Sequence, residues 1–203
     1  MSLPIIEFFI DLDDTSFDTN AAMRQIFKEA NVHVPEDMAW IVMADYGEFG
    51  AKVLREARFM SIARARKGWT ALPTWIEHIR RTYGNRAEVR FTFLTHRGYH
   101  PSAEAMTKTA LKREGLHHIR LRCICPTKYP SKCKWIALNT GNRVHSVLVD
   151  DFNKLSQLPT TPWVTAIVAD QPWNQQIEKY PRFKTFVEFT NVAEGVIRNL
   201  IGQ

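Results

Sequence analysis

Five short apolar segments, at residues 4–10, 88–94, 119–125, 144–149 and 163–168, punctuate this 203-residue chain, with stretches of helical periodicity between most of them. Apolar runs of this length that alternate with helices pack as parallel strands covered on both faces. The expected fold class is therefore α/β: a doubly wound, mostly parallel, Rossmann-like sheet. One helical stretch includes residues 107–116, opened by Pro101 and Ser102 and stopped by Gly115. Another covers 131–138, with Ser131 as its expected N-cap. The interval 16–87 breaks the alternation. It holds no strand pattern but shows helical patterns at 19–30, 49–67 and 72–83, and its length is too great for a single crossover. A small helical cap inserted after the first strand accounts for it, leaving 1–15 and 88–203 as the core domain and 16–87 as the cap. Pro159, Pro162, Pro172 and Pro181 mark loops toward the C-terminus.

Polar residues able to do chemistry recur at the ends of the apolar segments, where open α/β sheets gather their ligands. The first segment runs into Asp11-Leu12-Asp13-Asp14-Thr15. Carboxylates at i and i+2 in such a turn can divide two tasks, one attacking an electrophile while the other relays a proton and lends its backbone carbonyl to a metal. The plainer reading is a solvated acidic turn with Thr15 as a helix cap. The second segment ends Leu94-Thr95-His96-Arg97-Gly98, placing a hydroxyl before a glycine-containing turn. Thr95 can donate to a phosphoryl oxygen or simply cap the next element, and His96 and Arg97 follow where they can face a substrate. The fourth ends Val149-Asp150-Asp151. Four carboxylates brought into one pocket repel each other and raise one another's pKa, which a hard divalent cation relieves.

In order and position these motifs resemble those of the haloacid dehalogenase-like phosphatases. The usual first motif there is an apolar strand followed by Asp-x-Asp-Gly-Thr; here Asp14 stands at the glycine. The resemblance implies a magnesium-dependent phosphatase. Asp11 would be the nucleophile and Asp13 the acid–base, with Thr95 and a lysine holding the transferring oxygens. The metal would be held by Asp11, Asp13, Asp150 and Asp151. Thr15, His96 and Arg97 would contact substrate. The family's lysine opens a helix before the last acidic strand, which points to Lys132, with Lys128 and Lys134 as alternatives.

A narrower resemblance lies in residues 163–174, where an apolar segment is followed by Gln171-Pro172-Trp173-Asn174. This looks like the corresponding turn of 5'(3')-deoxyribonucleotidases, which also carry a bare Asp-Asp pair and a small helical cap. It implies hydrolysis of nucleoside monophosphates through an aspartyl-phosphate. Cap aromatics such as Phe49, Trp69 and Trp75 would be available to stack on a base, although core packing is the commoner role for each. Two alternatives stay open: a polynucleotide-end phosphatase like that of polynucleotide kinase-phosphatases, and a nucleic-acid-binding module on a degenerate phosphatase scaffold.

Charge bears on those alternatives. The net charge is +6, and the basic excess is clustered. Residues 51–70 carry Lys52, Arg55, Arg58, Arg64, Arg66 and Lys67 against Glu56, and residues 107–134 carry eight Lys or Arg against Glu114. Such clusters are either solvated faces or attractors of phosphorylated substrates and nucleic-acid strands. No apolar stretch approaches the ~20 residues of a membrane span, and no signal-peptide pattern opens the chain. Cys123, Cys125 and Cys133 are odd in number and close together, which suits free thiols in a reducing cytoplasm better than a disulfide framework or zinc site.

Overall fold

A computed structural model describes residues 3–36, 41, 43–141, 143–152 and 155–202. In chain order its elements are β1 (Ile5–Ile10), β2 (Phe17–Asp18), α1 (Thr19–Glu29), α2 (Gly47–Glu56), α3 (Phe59–Ile62), β3 (Arg64–Ala65) and α4 (Leu72–Tyr83). These are followed by β4 (Glu88–Thr95), α5 (Ala103–Arg113), β5 (Arg120–Cys123), α6 (Lys132–Asn139), β6 (Val144–Asp150), β7 (Val164–Ala169), β8 (Arg182–Phe183) and α7 (Phe186–Leu200).

Six strands form one sheet in the order β5-β4-β1-β6-β7-β8, every pairing between neighbours being parallel. The doubly wound class expected from the sequence is the one observed. β1 lies between β4 and β6, with Phe8 in register with Phe91 and Val147. Because β1 runs toward β4 on one side while the chain returns to β6 on the other, the strand order reverses beside β1. The crevice for a ligand therefore opens past Ile10 and Asp150.

Strands buried on both faces need apolar side chains on both, and β1 shows this. Ile6, Phe8 and Ile10 join one core cluster, while Phe9 joins the other beneath α6 with Leu94, Leu148 and Ile136. On the first face α4 and α7 supply a run of aromatic rings. Trp75 meets Phe8 and Phe91 edge-on at 6.5 and 5.5 Å, and Trp69 stacks on Phe189 at 4.9 Å. α4 thus covers the sheet, while Phe27, Tyr46 and Phe49 form a separate aromatic contact within the α1–α2 part of the chain.

The structure departs from the sequence reading in three places and adds two elements beyond it. The helix expected over 49–67 is broken: α2 ends at Ala57, which takes the left-handed conformation at φ 49°, and only the short α3 follows. Interval 16–87 is not strandless, since Phe17 pairs with Ala65 and Asp18 with Arg64 in an antiparallel ribbon. Two-residue strands carry no periodicity, so no pattern announces them. β8 and α7 follow the last of the prolines, in a stretch to which the sequence reading assigns no element; α7 buries Phe186, Phe189, Ala193 and Ile197 at helical spacing, and its cap Thr185 accepts from the Glu188 amide. Ser131 does hold the N-cap position of α6, but its side chain makes no capping bond.

Phe189 is fully buried and touches the rings of Trp69, Trp75, Phe183 and Phe186. Phe189→Ala is expected to destabilise the fold by about 3–5 kcal/mol. Chemical denaturation measures it, and a loss below about 1 kcal/mol would contradict this packing.

Candidate active site

The chain turns sharply after β1. The Asp11 amide donates to the Val149 carbonyl at 2.8 Å, fixing Asp11 at the junction of β1 and β6. The amides of Ser16 and Phe17 then both return to the Leu12 carbonyl, and the Ser16 hydroxyl donates to the Asp11 carbonyl at 2.7 Å. Asp14 closes this turn at φ 54°, a left-handed conformation that favours glycine. Its Oδ1 accepts from the Asn20 amide at 3.0 Å, whereas Oδ2 is buried without a hydrogen-bond partner. Burial pushes the Asp14 carboxyl up to about 7.

Asp11, Asp150 and Asp151 converge at the strand ends. One oxygen from each lies within 4.8 Å of the others, the one such group of His, Cys, Asp and Glu among the described residues. Lys132, the first residue of α6, places its Nζ 2.7 Å from Asp11 Oδ1 and 2.6 Å from Asp150 Oδ2. It is 7% exposed, whereas Lys128 and Lys134 are on the surface, so of the three lysines only Lys132 enters the cluster. Burial would lower the Lys132 ammonium, but Asp11 and Asp150 hold it well above the usual lysine range. Burial drives Asp11 up to about 8 against the pull of Lys132, with Asp150 and Asp13 adding repulsion. Asp151 is raised as well, by burial and then by Asp150 and Asp11. Crowded hard oxygens whose charge exceeds that of their one ammonium suit a divalent cation.

Asp13 faces a different set. Arg97 Nε lies 3.1 Å from both its oxygens and Nη2 lies 2.6 Å from Oδ1; Thr19 donates at 2.6 Å and Thr95 at 3.2 Å. Burial alone would raise Asp13, yet the Arg97 guanidinium outweighs it and holds the carboxyl below the usual range. Arg97 is 2% exposed and makes its bonds within the protein. Gly98 lets this turn approach β5: a Cβ there would stand 2.6 Å from the Ile124 carbonyl carbon. His96 lines the cavity with Nε2 2.9 Å from the Tyr129 carbonyl oxygen, and burial followed by the Lys132 charge lowers its pKa. Thr95 and Thr15 are both fully buried. Thr15 Oγ1 has no hydrogen-bond partner, and the residue does not line the cavity.

The Gln171–Asn174 turn does structural work at both acidic loops. Gln171 Nε2 donates to the Asp14 carbonyl at 2.6 Å, where Arg66 also donates at 2.7 Å. Asn174, fully buried, donates to the carbonyls of Asp151 and Ala169, and Arg182 donates to Asn174 Oδ1 at 2.8 Å. The sequence reading places Arg66 only within a basic cluster and assigns no site role to Ser16, Thr19 or the amide groups of Gln171 and Asn174. The only signal for the last two was an Asn that follows a proline turn beside an acidic strand end.

Above the carboxylates lies a cavity of about 320 Å³. Its lining includes apolar side chains, Met23, Ile41, Met43, Leu54 and Phe59, from the α1–α3 segment, together with Tyr99. Phe49, Trp69 and Trp75 do not line it; Trp69 and Trp75 are in the core.

Asp14→Gly tests the turn. An acid whose folded pKa is raised loses stability as pH climbs from its unfolded value through the folded one. Asp14 therefore weakens the fold progressively between about pH 4 and 7, in addition to its backbone strain. The glycine variant is expected to melt above the parent, by a margin that widens from pH 5 to pH 7.5. A constant or negative margin in thermal melts would refute this account.

No family model and no curated protein sequence matches the chain. Solved structures do. The Bacillus subtilis protein YfnB, described as a HAD hydrolase and solved bound to magnesium, superposes with a TM-score of 0.59 at 14% identity, covering 95% of this chain and 100% of its own. A HAD family hydrolase from Deinococcus radiodurans R1, with bound phosphate and sodium, gives 0.54 at 14% identity over 96% of this chain and 97% of its own. At such identities the likeness is one of architecture: this chain has the fold of the haloacid dehalogenase-like hydrolases.

Proposed function

We propose that the protein is a magnesium-dependent phosphatase for small phosphorylated substrates, with nucleoside monophosphates as the class. The observation that carries this is the meeting of Asp11, Asp150, Asp151 and Lys132 beneath an apolar chamber. Asp11 and the Asp150–Asp151 pair, with the Asp13 carbonyl, would hold the cation, which when bound neutralises charge on the phosphoryl oxygens. Magnesium bound to YfnB and phosphate bound to the Deinococcus protein support the same reading.

The chain's own groups then act in order. Asp11 Oδ attacks phosphorus, the ester P–O bond breaks, and an aspartyl-phosphate forms. Lys132 steadies the oxygens in transfer, and the Thr95 hydroxyl, buried and donating to Asp13, acts through that carboxylate. Arg97 keeps Asp13 ionised at rest, so the proton for the leaving oxygen arrives with the substrate's phosphate monoanion and passes through Asp13. In the second half Asp13 takes a proton from water, which attacks phosphorus and releases Asp11. His96 and Arg97 line the cavity, His96 free to meet the bound substrate and Arg97 with its donors held by the protein, while Thr15 acts from behind the wall. Residues 16–63 serve as the cap, and α4 belongs with the core it covers.

The chamber favours a mononucleotide over a strand end. Arg58 and Arg64 pair with Glu29 and Glu114, Arg66 binds the Asp14 carbonyl, and neither these nor Arg55 line the cavity. A flat apolar leaving group fits walls of Met, Ile, Leu and Phe.

Asp11→Asn should lower phosphate release at least ~10³-fold with the fold intact, a loss of transition-state stabilisation on the scale of one removed catalytic group. A panel of nucleoside 5'- and 3'-monophosphates beside 3'-phosphorylated oligonucleotides tests the class. Turnover confined to the oligonucleotides would reverse it. Magnesium should raise the melting temperature more at pH 8 than at pH 5.5, because it displaces protons held by Asp11 and Asp151. Asp151→Asn should abolish that difference; an unchanged magnesium response would remove the pair from the site.

A further inference from the structure

Arg97 sits where four parts of the molecule meet. From the turn after β4 its guanidinium reaches the Asp13 carboxylate and the Thr19 hydroxyl at the start of α1, at 3.3 Å. The same group's Nη1 donates to the Thr107 hydroxyl of α5 and to the Met60 carbonyl of α3, each at 3.2 Å. Every nitrogen is engaged and the side chain is buried, so no donor is left for a ligand. A buried guanidinium that loses acceptors without gaining water is strongly destabilised. Its geometry is also rigid, because a planar fork cannot turn toward one partner without leaving another.

The Met60 carbonyl belongs to the open end of α3, where carbonyl groups need outside donors. Arg113 of α5 serves the neighbouring Ser61, Ile62 and Ala63 carbonyls. α3 is therefore mounted on the core by two arginines, and only Arg97 also touches Asp13. No hydrogen bond or ion pair among the described residues joins Asp13 to α3 directly. Phe59, on α3, lines the apolar chamber.

We propose that Arg97 is a positioning residue that ties the seating of α3, and so the wall of the leaving-group chamber, to the orientation of the Asp13 carboxylate. With α3 seated, the guanidinium plane is fixed by Met60 and Thr107 and presents Nε and Nη2 to Asp13. When α3 lifts, Nη1 loses an acceptor, the plane is freed, and Asp13 loses its fixed partner. Acid–base geometry and chamber closure are then one event. The catalytic half of this inference rests on the phosphatase reading; the mechanical half does not.

Coupling of this kind is reciprocal, which gives a test independent of activity. Asp13→Asn changes a residue with no bond to α3, yet amide hydrogen exchange at Ser61, Ile62 and Ala63 should accelerate, on the order of tenfold. Exchange in β6 should be unchanged, which excludes global loosening. Arg97→Lys keeps the charge but cannot span all the acceptors; it should show the same local acceleration and a kcat loss of at least tenfold with little change in KM. Unaltered α3 exchange in Asp13→Asn would overturn the tie whether or not the protein is a phosphatase. Accelerated exchange in Arg97→Lys with native kcat would overturn its catalytic consequence. Absence of phosphatase activity in the parent would defeat the functional reading while leaving the exchange result to decide the mechanical one.

Discussion

The placement of the Lys132 ammonium between Asp11 and Asp150 is the contact on which the rest of the site depends. Two like charges ~4 Å apart repel by about 4 kcal/mol at the effective dielectric of a protein, and more where water is scarce. Three carboxylates at the ends of adjacent parallel strands would push those strand ends apart. One ammonium reduces the repulsion without cancelling it. Burial first, and the repulsion left over after it, raise the Asp11 and Asp151 carboxyls. A cluster balanced in this way has excess negative charge that protons or a cation would offset.

Holding such a cluster together is a task for the backbone as much as for charge. The acidic loops after β1 and β6 lie far apart in the sequence, yet the Gln171–Asn174 turn grips both, at the carbonyls of Asp14 and Asp151. Neutral amides suit this work: they anchor carbonyls without adding charge beside the carboxylates. The turn is itself fastened by Arg182, which also pairs with Asp170. Resemblance in this stretch to a nucleotidase turn thus has a physical role that requires no contact with substrate.

Much of the fold was legible because a doubly wound sheet writes itself into the chain as short apolar runs, and all five expected strands exist with small shifts at their ends. What failed to show had no periodicity to show it. The two-residue β2, β3 and β8 depend on partners elsewhere, and the break at Ala57 is a left-handed residue that is not glycine. In the site, residue types at strand ends disclosed Asp11, Asp150 and Asp151 because carboxylates there are chemically conspicuous. Helix-opening position pointed to Lys132 over Lys128 and Lys134, and burial separates the three. The amide clamps and the Thr107 acceptor were invisible, since Asn, Gln and Thr occur everywhere and nothing local marks the ones that reach across the fold.

Arg97 shows why position in a motif does not determine a role. From the sequence it follows Thr95 at the mouth of the crevice and reads as a substrate contact. In the fold it lines the chamber, yet its donors are taken by Asp13, Thr19, Met60 and Thr107. Two residues earlier, Thr95 also bonds to Asp13, so both polar groups of that turn act on one carboxylate. The consequence is a division within the first loop. Asp11 is left beside Lys132, and Asp13 is secured by a guanidinium and two hydroxyls. The two aspartates are separated electrostatically, one driven toward its neutral form and the other held ionised. Residues two apart in sequence can share one reaction without sharing one protonation state only if their surroundings differ in this way.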